Sequence, residues 1–253
     1  MNKYIETSLD GSVAIVKMNR PPANAISLDF LSEFREVISE VSEDQTARVV
    51  VITSSIPGVF AAGADIKLMF KMDVRQVHSA VTDVFGSIQR LPKPVIAMIN
   101  GHALGGGCEL ALCCDYRFME KDKSKIGLPE VNLGIISAGG GTQRMSRLLG
   151  RAKATELLFE GTRIGAKEAL DIGLVHRIFS AEDLSKQTLA YADRLASQSP
   201  VAIRLIKRCL NEGLDNDLDR GLELEGEALL EAFEAEDVRE GVNAFIERRI
   251  PKF

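Results

Sequence analysis

The sequence predicts an α/β fold whose last third is helical. Over roughly the first 150 residues, short apolar runs alternate with segments whose apolar residues recur at helical spacing. The run at 49–53 is almost continuously apolar, which is typical of a strand buried on both faces. From Arg151 onward, nearly every segment has helical periodicity. The chain of 253 residues is long enough to bury a sizeable core.

The predicted strands and helices of the first part alternate along the chain. The strands share an apolar or β-branched composition and lie at 13–18, 49–53, 95–99 and 116–119. One amphipathic helix begins after Ser27, whose hydroxyl suits a helix cap, and another is expected over 74–91, ending before two prolines. Strands separated by helices indicate an α/β body with buried strands.

Beyond residue 150 the prediction is almost entirely helical. Helices are expected at 155–159, 166–172, 184–196, 201–211, 221–235 and 238–249, with one strand-like segment at 175–179. A helical layer on an α/β body suggests a cap or an oligomerisation surface.

Composition excludes several classes of protein. A net charge of −5 provides no general attraction to nucleic acid or to an anionic membrane, and no run approaches the ~20 apolar residues of a membrane span. The four cysteines lack the spacing of a zinc site, so we expect reduced thiols, no bound metal and a cytoplasmic protein. There is also no P-loop and no G-x-S-x-G nucleophile motif.

The most informative stretch follows the predicted strand at 95–99. Three successive glycines, Gly105, Gly106 and Gly107, come before a compact apolar segment with helical character. Such a turn lets a ligand approach the backbone and leaves helix N-terminal N–H groups free to bind negative charge. Glu109 lies at the start of this helix, among residues that otherwise look buried.

A second carboxylate, Glu130, has a similar setting. It follows Pro129, and a run of glycines at 139–141 opens the next helix. Each glutamate alone could be a structural helix-end carboxylate or the partner of Arg144 or Arg147. Together they indicate acid–base chemistry, because apolar surroundings raise carboxyl pKa values into a useful range.

Three motifs in this order resemble the crotonase superfamily, and the enoyl-CoA hydratases in particular. They are FAAGADIK at 60–67, GHALGGGCE at 101–109, and LPEVNLG followed by GGTQ at 128–143. The resemblance extends from Asn19 to Phe253. It implies a spiral of repeated β-β-α units over residues 1–195 and a C-terminal helical region over 196–253 that builds trimers or hexamers.

The resemblance also implies a reaction. The oxygen of an acyl-CoA thioester would lie between the backbone N–H groups of Ala64 and Gly106, which would stabilise its developing negative charge. Glu109 would orient a water molecule and accept its proton, while Glu130 would deliver a proton to C2. The product of a trans-2-enoyl-CoA would be a 3-hydroxyacyl-CoA, with no cofactor beyond the CoA thioester substrate.

The remaining residues implied by the resemblance surround this arrangement. Substrate contacts are expected from Ala62, Asp65, Ile66 and Lys67, and CoA contacts from Ala23 and Ala25. Two departures from the usual hydratase pattern leave details open: the loop at Pro21 and Pro22 is isomerase-like and lacks a lysine, and Ser137-Ala138 replaces proline-glycine. The loop makes a Δ3,Δ2-enoyl-CoA isomerase one alternative. A non-catalytic acyl-CoA-binding subunit is an alternative of another class, against which the presence of both Glu109 and Glu130 argues.

Overall fold

A computed structural model of the chain describes residues 4–63, 65 and 73–253. Its larger sheet has the strand order β1-β2-β3-β5-β7-β10. These strands are β1 (Ile5–Asp10), β2 (Val13–Met18), β3 (Val49–Ser54), β5 (Val95–Ile99), β7 (Tyr116–Glu120) and β10 (Arg177–Phe179). The β1–β2 pair is antiparallel and every other neighbouring pair is parallel.

The centre of this sheet is buried on both faces, as the apolar runs predict. Every residue of β3 and of β5 is buried. One face carries Val51 and Ile96 against Leu184 of a later helix, and the other packs Ile52 in the main core with Phe34.

A smaller sheet, which the sequence does not predict, has the strand order β4-β6-β8-β9. Its strands are β4 (Gly58–Ala62), β6 (Gly101–Leu104), β8 (Lys125–Gly127) and β9 (Arg163–Gly165). Because β4, β6 and β8 directly follow β3, β5 and β7, each β-β-α unit contributes one strand to each sheet. The stretch after Ile99, expected to be a turn leading directly into a helix, therefore first forms the strand β6.

The helices that the structure describes up to Ala196 lie at predicted helical segments, although the one at Gly141–Glu160 joins the helix expected after 139–141 to the one expected at 155–159, with a kink at Gly150. They are α1 (Leu28–Glu43), α2 (Val74–Arg90), α3 (Gly106–Cys113), α4 (Gly141–Glu160), α5 (Ala166–Asp171) and α6 (Ala181–Ala196). The Ser27 hydroxyl accepts a hydrogen bond from the Phe30 N–H at 3.3 Å and caps α1. Glu130–Leu133 forms a 3-10 helix between β8 and α4.

The short helix α3 is buried along its whole length. A Cβ on Gly107 would lie 2.0 Å from the carbonyl oxygen of Ala61, so only glycine lets α3 pack this closely on β4. At the other end, the buried Arg117 donates to the carbonyl oxygens of Ala111 and Cys114 at 3.2 and 2.6 Å. A cation there satisfies terminal carbonyl groups and complements the helix dipole.

Three further helices follow Ala196, next to the predicted boundary between 195 and 196. They are α7 (Pro200–Gly213), α8 (Leu218–Glu234) and α9 (Glu236–Glu247). Helix α7 is anchored by Lys207, whose Nζ donates to Asp115 Oδ2 at 2.7 Å and to the Lys93 carbonyl at 2.9 Å. Among the helices of the described residues, none is long and apolar enough to cross a bilayer.

Candidate active site

A cavity of about 460 Å³ lies where α2, the start of α3, the 3-10 helix and the loop before α4 meet. The predicted site residues Ala62, Gly106, Glu109 and Glu130 all line it, so segments distant in sequence contribute to one site. Apolar side chains form much of the remaining wall: Ile26, Val77, Val81, Leu133, Ile135 and Ile136. The sequence motifs thus converge on a pocket that combines carboxylates with an apolar surface, as ligand sites commonly do.

The N-terminus of α3 faces this cavity. Gly105 precedes the helix with φ 55°, a conformation that favours glycine, and its N–H donates to the Gly127 carbonyl at 2.9 Å. Gly106 is the first helical residue, so its N–H has no acceptor within the helix. It is therefore suited to be one of the two predicted oxyanion donors. Ala64, the other predicted donor, lies outside the described residues.

Glu109 is fixed by the loop before α4. Its side chain is 4% exposed, and its Oε1 accepts hydrogen bonds from the N–H groups of Gly139 at 2.7 Å and Gly141 at 2.8 Å. A Cβ on Gly139 would lie 2.7 Å from Oε2, and one on Gly141 would lie 2.9 Å from Oε1. The glycine run is therefore required for the close approach of the carboxylate.

Of the two structural roles considered for Glu109, a helix-end carboxylate and an arginine partner, the structure shows the first. Because Gly141 is the first residue of α4, the carboxylate satisfies the N-terminus of that helix. Neither candidate arginine is its direct partner: Arg144 Nη1 donates to the Gly139 carbonyl at 2.9 Å, and Arg147 pairs with Asp215. This structural role does not exclude a chemical one, because Glu109 also lines the cavity.

Burial raises the pKa of Glu109 to about 7. The N–H of Gly141 opposes this rise, the negative charge of Glu130 adds to it, and the N–H of Gly139 and the charge of Arg144 lower the pKa again. A carboxyl group that titrates near neutrality can take up and release a proton at physiological pH. Both carboxylates line the same cavity.

Glu130 is held differently. It opens the 3-10 helix, is half-buried, and its Oε2 is buried without a hydrogen-bond partner among the described residues. Burial raises its pKa, while its own N–H and the hydroxyl of Ser137 lower it. A buried carboxyl oxygen without a partner is unusual in a folded protein and calls for a functional explanation.

Three polar residues of the cavity wall, His78, Asn132 and Arg163, are absent from the predicted site residues. The Nδ1 atom of His78 lies 2.9 Å from the Ala138 carbonyl oxygen and connects α2 to the loop before α4. His78 lies on the same face of α2 as Val74, Val77 and Val81. Its spacing from these valines is the sequence signal that places His78 on this face. The signal identifies a site residue only when α2 is known to border the cavity.

The other predicted contact residues lie beside the cavity. Asp65 pairs with Arg20 through Oδ2 and Nη2 at 3.1 Å, and its N–H donates to the Ile26 carbonyl at 3.0 Å. The carbonyl of Ala23 accepts from the N–H of Ala62, and that of Ala25 accepts from Arg20.

These bonds join the loop after β2 to the end of β4. Of the described residues that line the cavity, none is Ala23, Ala25 or Asp65, so their ligand contacts stay predictions. Ile66 and Lys67 lie outside the described residues.

Thiol chemistry is not favoured at this site. Burial raises the pKa of Cys108 and of Cys113, both on α3, far above the usual range of a thiol. Buried thiols that stay protonated at neutral pH are packing groups rather than nucleophiles.

The fold and the cavity define a class of α/β proteins in which repeated β-β-α units carry two glutamates to one pocket. A family model described as "Enoyl-CoA hydratase/isomerase" matches residues 8–253. The chain belongs to this family, and both the resemblance seen in the sequence and the crotonase-like fold that it implies are confirmed.

Individual relatives agree with this assignment. The chain is 41% identical over 245 residues to a crotonyl-CoA hydratase of Syntrophomonas wolfei, covering 95% of this chain and 94% of the relative. It is 42% identical over 244 residues to a short-chain-enoyl-CoA hydratase of Clostridium acetobutylicum, with 95% and 93% covered. The crystal structure of an enoyl-CoA hydratase from Bacillus anthracis superposes with a TM-score of 0.95 at 37% identity, covering 99% of both chains.

Proposed function

We propose that this protein is an enoyl-CoA hydratase, which adds water across the C2=C3 bond of a trans-2-enoyl-CoA to give a 3-hydroxyacyl-CoA. The observation that carries the proposal is that Glu109 and Glu130 line one cavity together with Gly106 at the N-terminus of α3. The hydratase names of relatives about 40% identical over most of the chain support it.

In this mechanism the two carboxyl groups begin in opposite protonation states. Ionised Glu109 accepts a proton from water as the water oxygen bonds to C3, and protonated Glu130 transfers its proton to C2. When water attacks C3, the electrons of the double bond are delocalised onto the thioester oxygen and form an enolate. The N–H groups of Gly106 and Ala64 stabilise the negative charge on this oxygen. Proton exchange with solvent then restores both glutamates.

We also propose that the protein is a homo-oligomer assembled through its C-terminal helices. These helices leave large apolar side chains in solvent, among them Leu210, Leu222, Leu230, Phe233, Phe245 and Ile246. An apolar surface of this kind is typical of an interface between subunits. Trimers or hexamers are the expected states, and light scattering of the purified protein would measure the mass.

The activity is tested by incubating the protein with crotonyl-CoA and with longer trans-2-enoyl-CoAs while the enoyl absorbance is followed. Loss of absorbance with formation of 3-hydroxyacyl-CoA is the expected result. Conversion of 3-enoyl-CoA to 2-enoyl-CoA, without hydration at any chain length, would instead identify an isomerase. Tight binding of CoA without turnover of either substrate would favour a non-catalytic subunit.

A further inference from the structure

A continuous series of hydrogen bonds connects α7 to the carboxylate of Glu109. Asn211 Nδ2 donates to the main-chain carbonyl of Gln89 at 3.0 Å, and Gln89 Nε2 donates to Asn211 Oδ1 at 3.3 Å. Arg144 Nε donates to Gln89 Oε1 at 2.8 Å, and Arg144 Nη1 donates to the Gly139 carbonyl at 2.9 Å. The N–H of Gly139 then donates to Glu109 at 2.7 Å.

Three successive peptide groups, from Ala138 to Gly141, connect this series of hydrogen bonds to the position of the Glu109 carboxylate. The peptide before Gly139 donates its N–H to Glu109, while its carbonyl, that of Ala138, is bonded to His78. The peptide before Gly141 also donates its N–H to Glu109. The peptide between these two presents its carbonyl to Arg144 instead. Both donors reach the same carboxylate oxygen while this middle peptide is oriented by Arg144.

Because the loop consists of three glycines, its conformation depends on the contact with Arg144. Three glycines in succession have more accessible backbone conformations than any other tripeptide, and Gly140 has φ 101°. A Cβ on Gly140 would lie 1.9 Å from Arg144 Nη1, so the guanidinium group lies directly on the loop. Its planar fork contacts Gln89 and Gly139 with different nitrogens, which the single ammonium of a lysine cannot reproduce.

We propose that Arg144 is a positioning residue for Glu109 and that it acts through the Gly139 peptide. Gln89 orients Arg144, and Asn211 couples this arrangement to the packing of α7. The inference rests on the proposed function, because it assigns Glu109 a chemical role. It adds that the geometry of this carboxylate depends on the first of the C-terminal helices.

The main test compares Arg144→Met with Arg144→Lys and with the matched control Arg147→Met, an exposed arginine one turn further along α4. We expect kcat for hydration to fall by ~10²-fold in Arg144→Met, since small displacements of a reacting group have effects of this size, with KM within about twofold of wild type. Arg144→Lys retains the charge and loses the fork, so its kcat should also fall. Arg147→Met should match wild type.

The pH profile separates positioning from loss of folded protein. The charge of Arg144 lowers the pKa of Glu109, so the acidic limb of the kcat profile should move to higher pH in Arg144→Met and less in Arg144→Lys. A smaller folded fraction would lower the rate at every pH without moving this limb. Hydrogen exchange of the 138–141 amides, measured by mass spectrometry, should accelerate in both variants and needs no activity.

Gln89 provides a second test with a conservative rescue. Gln89→Met removes the acceptor of Arg144 and should lower kcat by about tenfold, whereas Gln89→Glu retains an acceptor and should stay within about threefold of wild type. If Arg144→Met and Gln89→Met both have the kcat and the amide exchange rates of wild type, the inference is overturned, while the proposed hydratase activity is unaffected. If wild type fails to hydrate any enoyl-CoA, the proposed function fails, and faster exchange in the variants would still support the anchoring of the loop.

Discussion

The two glutamates of the candidate site are held in contrasting ways. Glu109 is almost fully buried on a short central helix and receives two backbone N–H groups from a neighbouring loop. Glu130 begins a single-turn 3-10 helix, is half-buried, and has a carboxylate oxygen without a partner in the described part of the chain. The fold thus fixes the Glu109 carboxylate by two hydrogen bonds, whereas one oxygen of the Glu130 carboxylate has no hydrogen-bond partner among the described residues.

The largest expected effect follows from removing the fixed carboxylate. Glu109→Gln should lower kcat for hydration by ~10²–10⁴-fold, because an amide can still accept the two N–H groups but cannot accept a proton. Steady-state hydration of crotonyl-CoA measures the loss. An unchanged rate of double-bond migration in the same variant would favour the isomerase alternative, since isomerisation does not require Glu109.

Replacing the other carboxylate tests whether Glu130 is the proton donor. Glu130→Gln should lower kcat by ~10²–10³-fold through loss of the proton donor. Its Tm should stay within a few degrees of wild type, because the described structure assigns Oε2 no hydrogen bond that the variant would lose. A large fall in Tm with little change in kcat would mean that Glu130 is mainly structural.

A smaller effect should result from disturbing the loop around Glu109 without changing its chemistry. Gly141→Ala places a Cβ 2.9 Å from Oε1, so the carboxylate must shift, and kcat should fall by about 10-fold or more. Gly165→Ala is the matched control, because its Cβ has no neighbour closer than 3.9 Å. Equal rates in both variants would contradict the importance of this close approach.

The last prediction concerns stability. Since the pKa of Glu109 rises from an ordinary value of 4.5 to about 7 on folding, the native state binds more protons than the unfolded state between these pH values. This contribution therefore destabilises wild type progressively as pH rises from about 4.5 to about 7, by about 1.4 kcal/mol per pKa unit.

Glu109→Gln should lack this decline, so it should be the more stable protein at pH 8 and lose that advantage near pH 4. Urea denaturation of both proteins at the two pH values measures the difference. A constant difference would indicate that Glu109 has an ordinary pKa in the folded protein.

The sequence predicts the larger sheet well because its strands are continuous apolar runs, such as 49–53 and 95–99. It does not predict the smaller sheet, whose strand β8 has three residues and whose β6 begins at a glycine. Such short strands are specified by their neighbours rather than by periodicity. The 99–105 stretch was therefore expected to be a turn alone.

The candidate site likewise has residues that local sequence predicts and residues that it does not predict. Glu109 and Glu130 could be found because each lies beside a glycine-rich motif. The contact of Gln89 with Asn211 spans 122 residues, and no local pattern indicates it. His78 was missed because a lone histidine on an amphipathic helix has no distinctive local signal. Tertiary packing, not local sequence, selects such partners.

The anchoring of α7 determines how this polypeptide can be shortened. Lys207 is 7% exposed and supplies the positive charge beside Asp115, whose carboxylate also accepts the N–H of Val95 at the start of a central strand. A chain ending at Ala196 would lose that cation and would uncover the face of the body on which α7 rests. The predicted boundary at residue 196 is thus a poor site for truncation, because a fragment without the last three helices would leave the Asp115 carboxylate without the ammonium group that pairs with it.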